Sequence, residues 1–310
     1  DRSVASLDLR DPGTASDYRT VRCRKPLINR NGTGASPDFV DIPSYSGKYS
    51  TSCYVDEMQQ ALQDMYRKRG QRPVEHLRSL EAVFMHRPYQ RMPETGLGMA
   101  YLFALAGGDE TDHAELADIC VAAGVAPDAL RAEIASAPDF VSYAVRERVG
   151  EEIFPLCLRT LKAFRRTDAF ARDIGSKISL GTDRMLELGN LYTAALPAWL
   201  AAGLEEARER DVELADKEIL LIGYGSGDAA DAIPIRIVPG WQRAIERIAF
   251  DATLEPSISL SHDQYLALRD RSAPDELDYA PRAEFIVERV GQESNAVFQD
   301  AGIEYYRYVR

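Results

Sequence analysis

The stretch Glu218-Ile219-Leu220-Leu221-Ile222-Gly223-Tyr224-Gly225-Ser226-Gly227 decides the fold class. Its first half is a short apolar run, which reads as a strand buried on both faces. Its second half alternates glycines, whose missing Cβ lets main-chain N–H groups approach a ligand closely. Downstream, residues 233–238 alternate and are β-branched, so they are expected to pair with 218–222. Upstream, Ala82-Val83-Phe84-Met85 is a second buried-strand pattern that runs into His86-Arg87-Pro88. Taken alone, 223–227 is a tight turn between strands. No Lys-Ser/Thr follows it, so it is not a phosphate loop. Its glycines touch Ser226 directly, which departs from the G-x-S-x-G nucleophile elbow.

Helical patterns fill the space between these strands. Val55, Met58, Leu62, Met65 and Tyr66 recur at three- and four-residue steps, so 54–69 is expected to be helical, with Ser52 as N-cap and Gly70 past its end. Further helices are expected over 99–106, 110–124, 128–137, 147–171 (one long helix with a kink at Pro155, or a helix pair), 185–210 (with Pro197 inside) and 241–250. A short helix is expected near 263–269 and an aromatic-rich strand over 302–310. Residues 1–50, rich in Gly, Pro, Ser, Asp and Arg, read as a long irregular excursion, the kind usually given to functional loops or interface arms. Alternation of strands and helices makes the class α/β.

Composition narrows the function. The 310 residues are 45% hydrophobic and 28% charged, an ordinary globular balance. A net charge of −12 argues against nucleic acid and against an anionic membrane surface, both of which need clustered Lys and Arg. The longest apolar run, 191–204, falls short of the roughly 18 residues of a membrane span. With no signal-peptide pattern at its start, the chain is expected to be cytoplasmic. Cys23, Cys53, Cys120 and Cys157 have no paired metal-ligand spacing, so reduced thiols and no metal are expected. The chain opens on Asp1 rather than Met, as a processed chain or the downstream part of something longer would.

Three places carry candidate chemistry. His86, at the end of an apolar strand on a loop fixed by Pro88, is placed to face a pocket and to donate a hydrogen bond or exchange a proton. His76, His113 and His262 sit in polar contexts and are expected to be solvated. Asn190, in Gly189-Asn190-Leu191-Tyr192-Thr193, is either the cap of an Ala-rich helix or a side-chain amide aimed at a substrate carbonyl. The third place is the Gly225-Ser226-Gly227 turn.

In order, Phe84-Met85-His86-Arg87-Pro88-Tyr89, Gly189-Asn190-Leu191-Tyr192-Thr193 and Gly223-Tyr224-Gly225-Ser226-Gly227 resemble hydroxymethylglutaryl-CoA synthase, a family of the thiolase superfamily. Tyr49-Ser50-Thr51-Ser52-Cys53-Tyr54 and the tyrosine-rich end Tyr305-Tyr306-Arg307-Tyr308 agree with it, so the resemblance runs from about residue 15 to the C-terminus. It implies a thiolase-like layered αβαβα fold of which this chain supplies the C-terminal half, with residues 1–50 as an extended arm and 108–175 as a helical insertion. It implies a Claisen-type condensation in which an acetyl unit, held on a cysteine, is deprotonated by a glutamate and adds to the ketone of a β-ketoacyl thioester. His86 would polarise the acceptor carbonyl. Asn190, Ser226, Tyr192, Gly225, Gly227 and Tyr89 would bind substrate, and Arg91 matches a lysine that serves the CoA phosphates. Stabilising charge as it develops is the usual dominant contribution in such reactions.

The nucleophilic cysteine and acid/base glutamate of the family lie upstream of everything matched here. Cys53 matches a non-catalytic family cysteine, Cys120 and Cys157 fall on apolar helix faces, and Cys23 sits among arginines in an irregular segment. The expected partners are therefore an N-terminal half or second subunit carrying that cysteine, and acyl-CoA or an acyl carrier protein, in a homo- or hetero-oligomer. No cofactor is expected beyond the thioester substrates. The alternatives are a non-catalytic partner that binds an acyl thioester, and a generic α/β enzyme with Ser226 as nucleophile.

Overall fold

The computed structural model describes residues 3–16, 25–28, 35–40, 47–136, 151–225, 228–255, 257–270, 277 and 279–310. The chain divides into two compact units, residues 1–253 and 254–310.

The first unit is built on a five-stranded mixed sheet. Strands β1 (Ala5–Ser6), β2 (Gly13–Ser16), β5 (Ala82–Met85), β6 (Glu218–Gly225) and β7 (Ala229–Ile237) take the order β1-β7-β6-β5, with β2 also on β7. The expected pairing of 218–222 with 233–238 is present as the antiparallel β6–β7 ladder, Leu221 opposite Ile233. β5 runs parallel to β6, Ala82 opposite Ile219 and Met85 opposite Ile222. A parallel pair needs a crossover, and the chain between β5 and β6 supplies helices for it.

β5 is buried at all four positions because helices cover both of its faces. Phe84 meets the Trp199 ring edge-on at 5.8 Å, on the helix Ala195–Glu209. Met85 points the opposite way, as successive strand residues must. Its neighbours there are Gly96 of α3 (Arg91–Ala106) and, beside that glycine, Tyr54 and Met58 of α1 (Gly47–Arg69). The result is helix, sheet and helix in layers, with α3 buried nearly all round against α1. β2 lies so close to α1 that a Cβ on Gly13 would overlap the main chain of Ala61 and Met65.

Of the 1–50 excursion, β1 and β2 join the sheet edge, and β3 (Lys25–Ile28) and β4 (Ala35–Val40) pair as a hairpin. The region expected as a helical insertion contains α4 (Glu110–Ala123), α5 (Pro127–Ala135) and α6 (Pro155–Phe164) among its described residues; 137–150 lie outside them. α4 opens on a reciprocal capping pair, Asp109 and Asp112, and closes on Gly124 at φ 61°.

Several expectations need correction. α1 begins at Gly47, a turn before the expected Ser52 cap. Pro155 starts α6 instead of kinking a longer helix, because a first-turn proline forfeits no hydrogen bond. Residues 185–210 are not one helix. Short 3₁₀ turns at Arg184–Glu187 and Tyr192–Ala194 precede α7 (Ala195–Glu209), which has Pro197 in its first turn. His76 is not solvated. It is buried on α2 (Pro73–Ser79) between the Tyr66 hydroxyl at 3.2 Å and Glu218 Oε1 at 2.7 Å. His113 is half-buried, its Nε2 3.1 Å from the Ala106 carbonyl. Only His262 is exposed as expected.

In the second unit, the helix His262–Arg269 is capped by Ser261 and Gln264. β8 (Glu284–Val290) and β9 (Glu304–Val309) form an antiparallel hairpin that absorbs the tyrosine-rich end. Among the described residues no helix is long and apolar enough to cross a membrane, and no group of three His, Cys, Asp or Glu is arranged to hold a metal.

Candidate functional site

The two parallel strands β5 and β6 end side by side, and open sheets place ligands beyond such carboxyl ends. His86 continues the ladder one step past β5, its main-chain N–H donating to the Ile222 carbonyl at 2.8 Å. Its ring therefore stands level with the glycine-rich end of β6.

Four separate sequence motifs meet around this ring. From β6, the Tyr224 ring lies 5.9 Å away. From α1, the Tyr54 ring lies 6.5 Å away, and its hydroxyl donates to the His86 carbonyl at 3.4 Å. From the loop before α7, the Tyr192 main chain hydrogen-bonds the imidazole. The fourth is the His86-Arg87-Pro88-Tyr89 loop itself. Burial lowers the imidazole pKa below its ordinary 6.5, and the Tyr192 hydrogen bond offsets this only in part. At neutral pH His86 is a neutral imidazole, able to donate or accept one hydrogen bond.

Asn190 does not cap α7. Its Oδ1 accepts from the Tyr192 N–H at 2.8 Å, closing a turn that carries Tyr192 at φ 52°. This asparagine thus shapes the main chain that His86 bonds. Tyr192 is exposed and Gly225 ends β6 opposite Ala229. Tyr89 is half exposed and lines a cleft of about 280 Å³ with Arg87, Met185, Leu186, Leu188 and Gly189. That cleft is bounded by the residues just after His86 and just before Asn190. Arg91 is the exposed first residue of α3 and does not line it. Ser226 and Gly227 lie outside the described residues, as does Cys23.

Sequence reasoning missed the support beneath His86. The Tyr224 hydroxyl donates to Asp228 Oδ1 at 2.8 Å, across the turn. Burial and the neighbouring Asp228 raise the Tyr224 pKa, as do Cys53 and the fully buried Glu57, so the phenol keeps its proton. An acid on the apolar face of α1 was the available signal for Glu57. Arg87 was also missed: it is 5% exposed, lies over the Trp199 ring at 5.1 Å and donates to Thr182 Oγ1 at 2.8 Å. Cys120 and Cys157 are buried, and burial pushes both thiols up, with the adjoining Glu133 adding to the effect at Cys157. Neither is an activated nucleophile.

Comparison with known proteins gives this geometry a context. No model of a protein family matches the chain. A hydroxymethylglutaryl-CoA synthase from Haloferax volcanii is 25% identical over 229 residues, covering 74% of this chain and 46% of the relative. The chain spans about half the length of that curated relative. Among solved structures, MvaS in complex with 3-hydroxy-3-methylglutaryl coenzyme A superposes with TM-score 0.60 at 18% identity, over 99% of this chain and 59% of that one. The HMG synthase of the curacin biosynthetic pathway gives 0.53 at 15% identity, over 99% and 59%. The same synthase in complex with its holo donor-ACP gives 0.51 at 15%, over 99% and 58%. The fold is thiolase-like, and the likeness in sequence is to hydroxymethylglutaryl-CoA synthases.

Proposed function

We propose that this chain, consistent with membership of the hydroxymethylglutaryl-CoA synthase family of the thiolase superfamily, supplies the acceptor-binding half of a condensing acyltransferase. The observation that carries the reading is the convergence of four motifs on one neutral imidazole at the ends of two parallel strands.

In this reading a β-ketoacyl thioester lies in the cleft beside Arg87 and Tyr89. The Tyr192 carbonyl holds one ring N–H, and the other His86 nitrogen faces the acceptor ketone, donating to the alkoxide in the protonated form of the ring as a carbanion adds. Asn190 acts through the turn it closes, holding the Tyr192 main chain that orients the imidazole. Ser226, Gly225 and Gly227 belong to the acyl site by the same resemblance. The nucleophilic cysteine and the proton-abstracting glutamate come from a separate or upstream half. The buried, protonated thiols of Cys120 and Cys157 support that assignment. Acetyl-CoA and a β-ketoacyl-CoA or carrier-protein thioester are the substrates, and no further cofactor is invoked. The solved complex of the curacin synthase with a donor carrier protein favours including the carrier-protein form.

The test is intact-mass spectrometry of the natively purified assembly incubated with acetyl-CoA, followed by turnover of the His86→Ala assembly. The acetyl mass is expected on the partner half and not on this chain, and His86→Ala is expected to lower turnover at least a hundredfold, in keeping with the loss of one oxyanion donor. Unchanged turnover would remove His86 from the reaction and make the chain a non-catalytic thioester-binding partner.

A further inference from the structure

Arg87 carries a buried charge that no carboxylate among the described residues meets. Its guanidinium has one hydrogen bond, to Thr182, and the face of Trp199. Among the described residues no acid is in ion-pair contact with it; Asp183 and Glu94 act on it only from farther off. Two partly buried arginines of this unit are built differently. Arg69 is paired with Glu218, and Arg184 with Glu205, Glu209 and Asp251. An unpaired buried cation is costly, so its retention on the wall of a cleft points to a ligand that completes it.

We infer that Arg87 recognises an oxyanion at the end of an otherwise apolar ligand bound in the cleft beside His86. The cleft offers Met185, Leu186 and Leu188 to an apolar stem and a planar five-donor fork to an anion. The terminal carboxylate of a short acyl chain is one source of that oxyanion. The phosphate of a pantetheine arm is the other source of the same oxyanion. The proposal takes the acyl nature of the ligand from the function proposed above, but the anion preference itself does not depend on turnover.

Calorimetric titration of the full chain separates these cases. The ligands are glutaryl-pantetheine, valeryl-pantetheine (equal in length, with methyl in place of carboxylate), pantetheine and pantetheine 4′-phosphate. Glutaryl-pantetheine is expected to bind at least tenfold tighter than valeryl-pantetheine, and the preference to vanish in Arg87→Gln. Arg87→Lys keeps a cation against Trp199 but loses the fork, so it is expected to retain only part of the preference; it decides the matter if Arg87→Gln does not fold. A preference confined to the phosphate pair, and lost in the same variants, supports the oxyanion site with phosphate as its source. No anion preference in the wild-type chain, or one that survives in folded Arg87→Gln, overturns the proposal. Failure of the function proposed above would show in His86→Ala turnover and leave these affinity ratios unchanged.

Discussion

The Tyr224 ring meets the Tyr54 ring edge-on, centroids 5.2 Å apart and planes at 84°, and His86 packs against both. This pair joins α1 to β6 beneath the imidazole. Tyr224 adds a second function through its hydroxyl, which fastens Asp228 across the turn. Tyr224→Phe keeps the ring and loses the hydrogen bond, so it is expected to cost about 1–2 kcal/mol. Tyr224→Ala loses both and is expected to cost about 3–5 kcal/mol. Urea unfolding of the two variants checks this; equal losses would mean that the ring packing contributes nothing.

His86 should titrate below an ordinary histidine. Burial depresses its folded-state value under 6.5, so the unfolded chain takes up the proton first. Its contribution to stability is complete above pH 6.5 and is lost as the pH falls below that, through the folded value. The ring proton resonances of His86 followed by NMR, assigned by difference with His86→Asn, give the value directly. A midpoint above 6.5 would contradict the burial argument.

Glu218 links the start of β6 to His76 and Arg69. Burial opposes its charge, but hydrogen bonds from His76 at 2.7 Å and Arg69 at 2.8 Å hold the carboxyl down at about 2, against 4.5 for a free glutamate. The stability it contributes is present above pH 4.5 and is lost between 4.5 and about 2. Linkage puts the swing at about 2–3 kcal/mol. Glu218→Gln should flatten the acid limb of the stability profile by that amount. An unaltered limb would show that the network does not couple to folding.

Glycine matters at Gly13 and not at Gly189. A methyl group on Gly13 overlaps α1 main chain, which has no rotamer to yield, whereas one on Gly189 meets nothing within 4 Å. Gly13→Ala is expected to lose about 3 kcal/mol or more. Gly189→Ala is expected to stay within about 0.5 kcal/mol of the parent. Thermal melts of both variants provide the comparison, and a harmless Gly13→Ala would mean that β2 is not seated on α1.

Much of the sheet was legible because burial on both faces leaves a mark in sequence. Ala82-Val83-Phe84-Met85 and Ile219-Leu220-Leu221-Ile222 have no polar position to misread, and both are strands where expected. Boundaries were less legible. A proline pattern such as Pro155 or Pro197 is compatible with a kink or a first turn, and only the surrounding chain decides between them. The His76 assignment failed for a related reason. Its local neighbours are polar, but the carboxylate it bonds is 142 residues away.

The sequence by itself determined the α/β class, the two buried-strand runs and the family resemblance, and it singled out His86 as a candidate. All of these rest on local patterns: apolar runs, glycine spacing and short motifs. The tertiary structure decided what surrounds His86. Tyr54, Tyr192 and Tyr224 reach it from three separate elements, and Arg87 packs on Trp199 and Thr182 with no carboxylate among the described residues in ion-pair contact. The physical reason is that burial, and with it the cost of a charge or the pKa of an imidazole, is set by neighbours distant in sequence. No local spacing encodes which of them arrive.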